Sequence, residues 1–184
     1  MASNISVRRY DRVAIALHWL VAIGVFVMIG LGWYMTDIPK GTPQRAFFFN
    51  LHKSIGVTLG LIVLMRVVWR WNHQPPPLPA GTASWVVHAS KLSHGLLYAL
   101  LVLMPVAGFT ASNFNKYGVT YFGLFKIGPL FPENKALYEV FQGIHHAASE
   151  VLVIVICIHI AGALKHLLLD KDGVFYRMLP GRSS

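Results

Sequence analysis

Four apolar stretches, at 13–35, 47–69, 85–109 and 141–169, are each long enough to cross a hydrocarbon core about 30 Å thick, which takes about 20 helical residues. In such a core the backbone N–H and C=O groups find no water, so each stretch must satisfy its own and folds as a helix. Composition agrees. A chain of 184 residues that is 55% hydrophobic, only 12% charged and has a mean hydropathy of +0.54 is too apolar for a soluble domain. The expected fold is all-α, an integral membrane four-helix bundle, with 1–184 forming a single transmembrane domain.

The connections carry turn chemistry. Residues 36–45 include Asp-Ile-Pro-Lys-Gly-Thr-Pro, and 72–81 include the tract QPPPLPAG, whose prolines cannot continue a helix. The longest connection, 113–135, is rich in aromatics and glycines and reads as a loop at the membrane interface rather than a fifth span. The first stretch follows RRYDR in the manner of a signal peptide. It is longer than an ordinary signal core and lacks a small-x-small cleavage site, so it reads as a mature helix. The single cysteine, Cys157, excludes a disulfide framework or a thiolate cluster.

Lysine and arginine set the expected orientation. With the N-terminus inside, the inner ends hold Arg8, Arg9, Arg12, Arg66, Arg70, Lys91, Lys165, Lys171, Arg177 and Arg182. The outer ends hold Lys40, Arg45, Lys53, Lys116, Lys126 and Lys135. This bias places both termini in the cytoplasm. The net charge of +9 follows from the same bias and from contact with anionic lipid, with no sign of nucleic-acid binding.

The histidines carry the chemistry. His145 and His159 are 14 residues apart, so at about 100° per residue they fall within about 40° of one helix face, separated by about 21 Å along the axis. His146 projects from nearly the opposite side. His18 lies early in the first helix, in the inner half, and His52 early in the second, near the outer surface. Matching depths pairs His18 with His159 and His52 with His145, giving two bis-imidazole sites stacked across the membrane.

Zinc calls for three or four protein ligands, and no carboxylate or thiolate stands beside either pair. Haem iron takes four nitrogens from its porphyrin and needs only two axial ligands, which fits the count. The absence of C-x-x-C-H makes any haem non-covalent and b-type, two per chain. Gly56 and Gly60 follow His52 at four and eight residues and would leave room for a macrocycle. Arg66, on the same face at the depth of the inner pair, would meet a haem propionate. His94 is expected beside the cofactor as a supporting or propionate contact, and His73, His88 and His166 as solvated residues near the inner interface. A single membrane histidine, or Gly56-x-x-x-Gly60 alone, is more often helix packing; four histidines matched in depth favour haem.

These residues resemble a family. Ala16-Leu17-His18-Trp19-Leu20, Leu51-His52-Lys53-Ser54-Ile55-Gly56, the 66–70 segment, His94-Gly95-Leu96-Leu97-Tyr98, Met104-Pro105-Val106-Ala107-Gly108, Phe122-Gly123-Leu124-Phe125, and His145 with His159 are together similar to bacterial cytochrome b561. The resemblance covers nearly the whole chain. It implies a four-helix, di-haem b protein of the bacterial inner membrane, with His18, His52, His145 and His159 as axial ligands. It also implies superoxide oxidation at the periplasmic face with ubiquinone as electron acceptor, or service to another small electron donor.

Two one-electron centres suit a donor of one electron and an acceptor of two. Superoxide is an anion, and the outer cations above face only Asp37, Glu133 and Glu139, so the outer surface is expected to be positive. His146 and Glu150 form an i,i+4 pair away from the haem face, open to quinone protonation or to plain packing. The alternative function is an electron-transfer anchor subunit for a redox protein partner, a dehydrogenase or hydrogenase.

Overall fold

The computed structural model describes residues 9–181; Arg8 and Arg182, counted in the charge bias above, lie outside the described residues. Four long helices follow in order: α1 Arg12–Asp37, α2 Pro43–Asn72, α3 Ser84–Phe114 and α4 Lys135–Lys165. All four are long and apolar enough to cross a membrane. They run past the apolar stretches at nearly every end because the caps sit beyond the hydrocarbon. The Asp11 carboxylate accepts from Ala14 N–H at 2.8 Å, the Thr42 hydroxyl from Arg45 N–H at 3.2 Å with Pro43 in the first turn, and the Asn134 side chain from Leu137 N–H at 3.0 Å. Arg45 closes the far end of α1, donating to the carbonyls of Met35, Thr36 and Ile38.

The helices pack in sequence, α1 on α2, α2 on α3 and α3 on α4. Val21, Val25, Val63, Leu100, Ala148, Leu152 and Val155 form the core, so every helix contributes. Large side chains such as Ile23, Leu61 and Ile154 point outward, as they must where the solvent is lipid. Gly60 sits against the proline inside α3. A Cβ there would lie 2.9 Å from Pro105 Cβ, and one at Gly56 would lie 3.3 Å from Met28 Cε. Both glycines let side chains of the neighbouring helices α1 and α3 approach α2 closely.

The long connection is ordered. Strands β1 Val119–Tyr121 and β2 Phe125–Ile127 pair antiparallel, with Val119 opposite Ile127. The hairpin docks on α2 through residues one turn apart: Asn50 Oδ1 accepts from Thr120 N–H at 3.1 Å, Ser54 Oγ from Phe122 N–H at 2.9 Å, and Thr58 Oγ1 lies 2.9 Å from the Tyr121 hydroxyl. Ser54 and Val119 are fully buried there. The backbone bonds of the hairpin lie at the level of His52, between Asn50 and Ser54, and the Tyr121 side chain alone reaches on to Thr58, about 9 Å past His52 along α2. Non-helical backbone is tolerated at this depth because α2 side chains take up its polar groups.

The first and last described residues come together at the opposite end. Trp19 Nε1 donates to the Met178 carbonyl at 2.7 Å, Arg9 Nη2 to the Leu179 carbonyl at 2.6 Å, and the buried Arg177 reaches the Pro77 carbonyl at 2.6 Å. The bundle therefore has a termini end and a hairpin end.

Candidate functional site

The four histidines singled out by depth meet in two pairs inside the bundle. At the termini end the rings of His18 on α1 and His159 on α4 have centroids 6.3 Å apart. At the hairpin end those of His52 on α2 and His145 on α4 are 6.2 Å apart. Two imidazoles on opposite sides of one iron, with metal–nitrogen bonds of about 2 Å and ring centroids about 1.1 Å behind each nitrogen, stand about 6.2 Å apart. At these separations each pair could hold one iron between its two imidazoles.

The hairpin-end pair is built by α3. Pro105 lies inside the continuous helix α3, and Gly108 about one turn on opens a notch that holds His145: a Cβ at Gly108 would lie 3.0 Å from His145 Nδ1. In that notch His145 Nδ1 is 3.0 Å from the Met104 carbonyl. A carbonyl only accepts, so Nδ1 carries the proton and Nε2 keeps its lone pair, the tautomer of a metal-ligating histidine with its backbone support. Among the described residues the buried His52 Nδ1 has no hydrogen-bond partner, an orphaned nitrogen that calls for a ligand or a proton acceptor. Gly32 of α1 lines the same ring, its Cβ position 3.6 Å from His52 Cε1.

All four helices reach the termini-end pair. Arg66 of α2 donates to the Ala14 carbonyl at 3.2 Å and to His18 Nδ1 at 3.1 Å, and lies 5.7 Å from the Tyr98 ring. His94 of α3 meets His159 edge-on at 5.2 Å, closer than opposed axial ligands stand, and its Nδ1 is held by the Ser90 carbonyl at 2.7 Å. Since Arg66 only donates, His18 Nδ1 is the acceptor here and Nε2 carries the proton. Binding iron through Nε2 requires the proton to move to Nδ1 and the guanidinium to turn away. An anionic propionate is the group that would draw it, so the residues fit a haem with Arg66 as its counter-charge.

Other expectations change. His166 is not solvated: its Nδ1 lies 2.8 Å from Asp172 Oδ2, within a cluster where Lys165 meets Asp170 at 2.6 Å. His73 stacks on Trp69 with centroids 4.0 Å apart, while His88 is exposed. Of the outer cations, Lys53 donates to the Gly118 carbonyl at 3.1 Å and Arg45 holds α1, leaving Lys40, Lys116, Lys126 and Lys135 exposed. The Met104 carbonyl, Gly108 and Gly32 were not singled out by function in the sequence. The proline–glycine spacing of 105–108 is the signal that points to such a notch.

The model of prokaryotic cytochrome b561 matches residues 9–181. Cytochrome b561 homolog 2 of Escherichia coli (strain K12) is 32% identical over 177 residues, covering 96% of this chain and 93% of that protein. Cytochrome b561 homolog 1 of the same organism is 24% identical, covering 95% of this chain and 98% of its own. The probable superoxide oxidase CybB of Yersinia pestis is 23% identical, covering 94% and 97%. The chain belongs to the prokaryotic cytochrome b561 family, membrane cytochromes that carry b-type haem.

Proposed function

We propose that this chain binds two b-type haems and passes electrons from a small donor at the hairpin end, superoxide in the first instance, to ubiquinone. The observation that carries the reading is the pair of histidine couples at 6.2 and 6.3 Å, set at two levels of one bundle. Haem bound at each couple supplies a centre that takes up and gives back one electron at a time. His52 and His145 would hold one group and His18 and His159 the other, with His94 and Arg66 beside the second.

The chain's own residues give this arrangement its direction. The Met104 carbonyl fixes the His145 tautomer, and the Gly108 notch fixes its ring. Exposed Lys40, Lys116, Lys126 and Lys135 favour approach of an anion to the hairpin end. The excess of arginine and lysine at the termini end supports a cytoplasmic placement of both termini, which makes the hairpin end periplasmic. The likeness to a probable superoxide oxidase supports the choice of donor.

Stopped-flow mixing of the oxidised, haem-loaded protein with superoxide tests the reading. Prompt change in the Soret band that is passed on to added ubiquinone supports it. No change with superoxide, alongside reduction by a partner dehydrogenase, would favour the anchor-subunit alternative.

A further inference from the structure

Three of the four seams of the bundle are shut by a glycine with the next helix pressed onto it. A Cβ at Gly24 of α1 would lie 2.7 Å from Leu59 Cδ1 of α2, one at Gly60 of α2 would lie 2.9 Å from Pro105 Cβ of α3, and one at Gly108 of α3 would lie 3.0 Å from His145 Nδ1 of α4. The fourth seam differs. Close packing joins α1 to α2, α2 to α3 and α3 to α4, but among the described residues no comparable packing joins α4 back to α1. In its place is an apolar groove of about 340 Å³, with Phe26, Ile29 and Gly30 on the α1 side and Ile156, Cys157 and Ile160 on the α4 side. A Cβ at Gly30 would meet nothing within 4 Å.

The groove leads to a histidine couple. Ile160 follows His159 directly and Ile156 precedes it by about one turn, while Ile29 and Ile156 both rest against the core and form the floor. His18 and His159 stand on the two helices that border the groove, their ring centroids 6.3 Å apart. A flat group ligated on both faces cannot enter face-on, so it must slide edge-first between the imidazoles. The other approaches are closed. At the termini end, residues 177–179 are bonded to Arg9 and Trp19 on one side and to the Pro77 carbonyl on the other. Toward the hairpin end, Val21, Val25, Leu152 and Val155 fill the core.

We infer that the α1–α4 seam is the passage by which haem enters and leaves the termini-end site, directly from the bilayer. The inference rests on the reading of His18 and His159 as axial ligands. A porphyrin is a largely apolar ring that dissolves in acyl chains, and an apolar groove open to those chains offers it a path. Little has to break for it to pass. Among the described residues no hydrogen bond links α1 to α4, so the two helices part by moving apolar side chains alone.

Haem loss from the loaded, full-length protein in nanodiscs tests this, with excess apomyoglobin as scavenger and the Soret band of the myoglobin formed as readout. The phase missing from His159→Ala belongs to the termini-end haem. Gly30→Trp and Cys157→Trp fill the groove from either side, and each should slow that phase about tenfold. Haem content at equilibrium should stay unchanged, because entry is slowed together with exit. Leu61→Trp and Ile154→Trp, at exposed positions outside the groove, should lose haem at the wild-type rate. A merely structural effect has the opposite sign, since loosening the bundle speeds haem loss. Wild-type or faster loss from both groove variants would overturn the passage and leave the haem reading standing, as would equal slowing by Leu61→Trp. Wild-type protein that holds no haem at this couple would instead remove the reading beneath it.

Discussion

At the scale of single residues, adjacent histidines divide the roles. His145 lies in the α3 notch with its Nδ1 on the Met104 carbonyl, whereas His146 faces outward. His145→Ala should therefore remove the hairpin-end haem signal and leave most of the termini-end signal. His159→Ala should do the reverse, and His146→Ala should retain both, as read in the low-temperature α-band. Gly108→Val should resemble His145→Ala, since the added side chain takes the place of the ring. Asp11 offers a pH test outside the membrane. Burial opposes its charge, but hydrogen bonds from the Ala14 N–H and the Trp69 indole outweigh this and hold its carboxyl below the ordinary 3.8. A depressed pKa contributes stability above the unfolded value that is lost as pH falls through the folded one. Asp11→Ala should thus lower the melting temperature at pH 7 and narrow its gap to wild type as pH falls below the ordinary 3.8.

At the scale of elements, hydrophobic length announced the four helices, and helical phase announced which histidines share a face. His145 and His159 were legible for that reason, and so were their partners, because depth in a membrane can be counted along the chain. The helix ends were less so: hydropathy sees only the lipid-facing span, while Thr42 and Asn134 start helices several residues earlier. The hairpin escaped notice because its stability comes from contacts about 70 residues apart in sequence, such as Thr120 N–H to Asn50. Asn50, Ser54 and Thr58 fall one turn apart on α2, and a polar stripe on a membrane helix was the available clue. Spacing alone did not show that Gly60 has Pro105 as its close neighbour. Ser54→Ala would remove, at a fully buried position, the acceptor of the Phe122 N–H. It should cost about 1–3 kcal/mol, measured from unfolding midpoints in SDS-mixed micelles.

At the scale of the whole molecule, the account requires a direction and a number. The direction is tested by a reporter fused after Ser184, active in the cytoplasm and silent in the periplasm; the reverse result would put the His18 and His159 couple on the donor side. Charge adds a second test. If the four exposed lysines of the hairpin end draw in superoxide, the second-order rate of Soret change should fall as salt rises, since exposed charges are screened beyond about 10 Å at 0.1 M. The number is the central claim. Two histidine couples, with ring centroids 6.3 and 6.2 Å apart, carry the proposal of two haems per chain. A pyridine haemochrome assay on purified, quantified protein measures this directly: two b-type haems per polypeptide is the predicted result, and a ratio of one or none in fully loaded protein would contradict it.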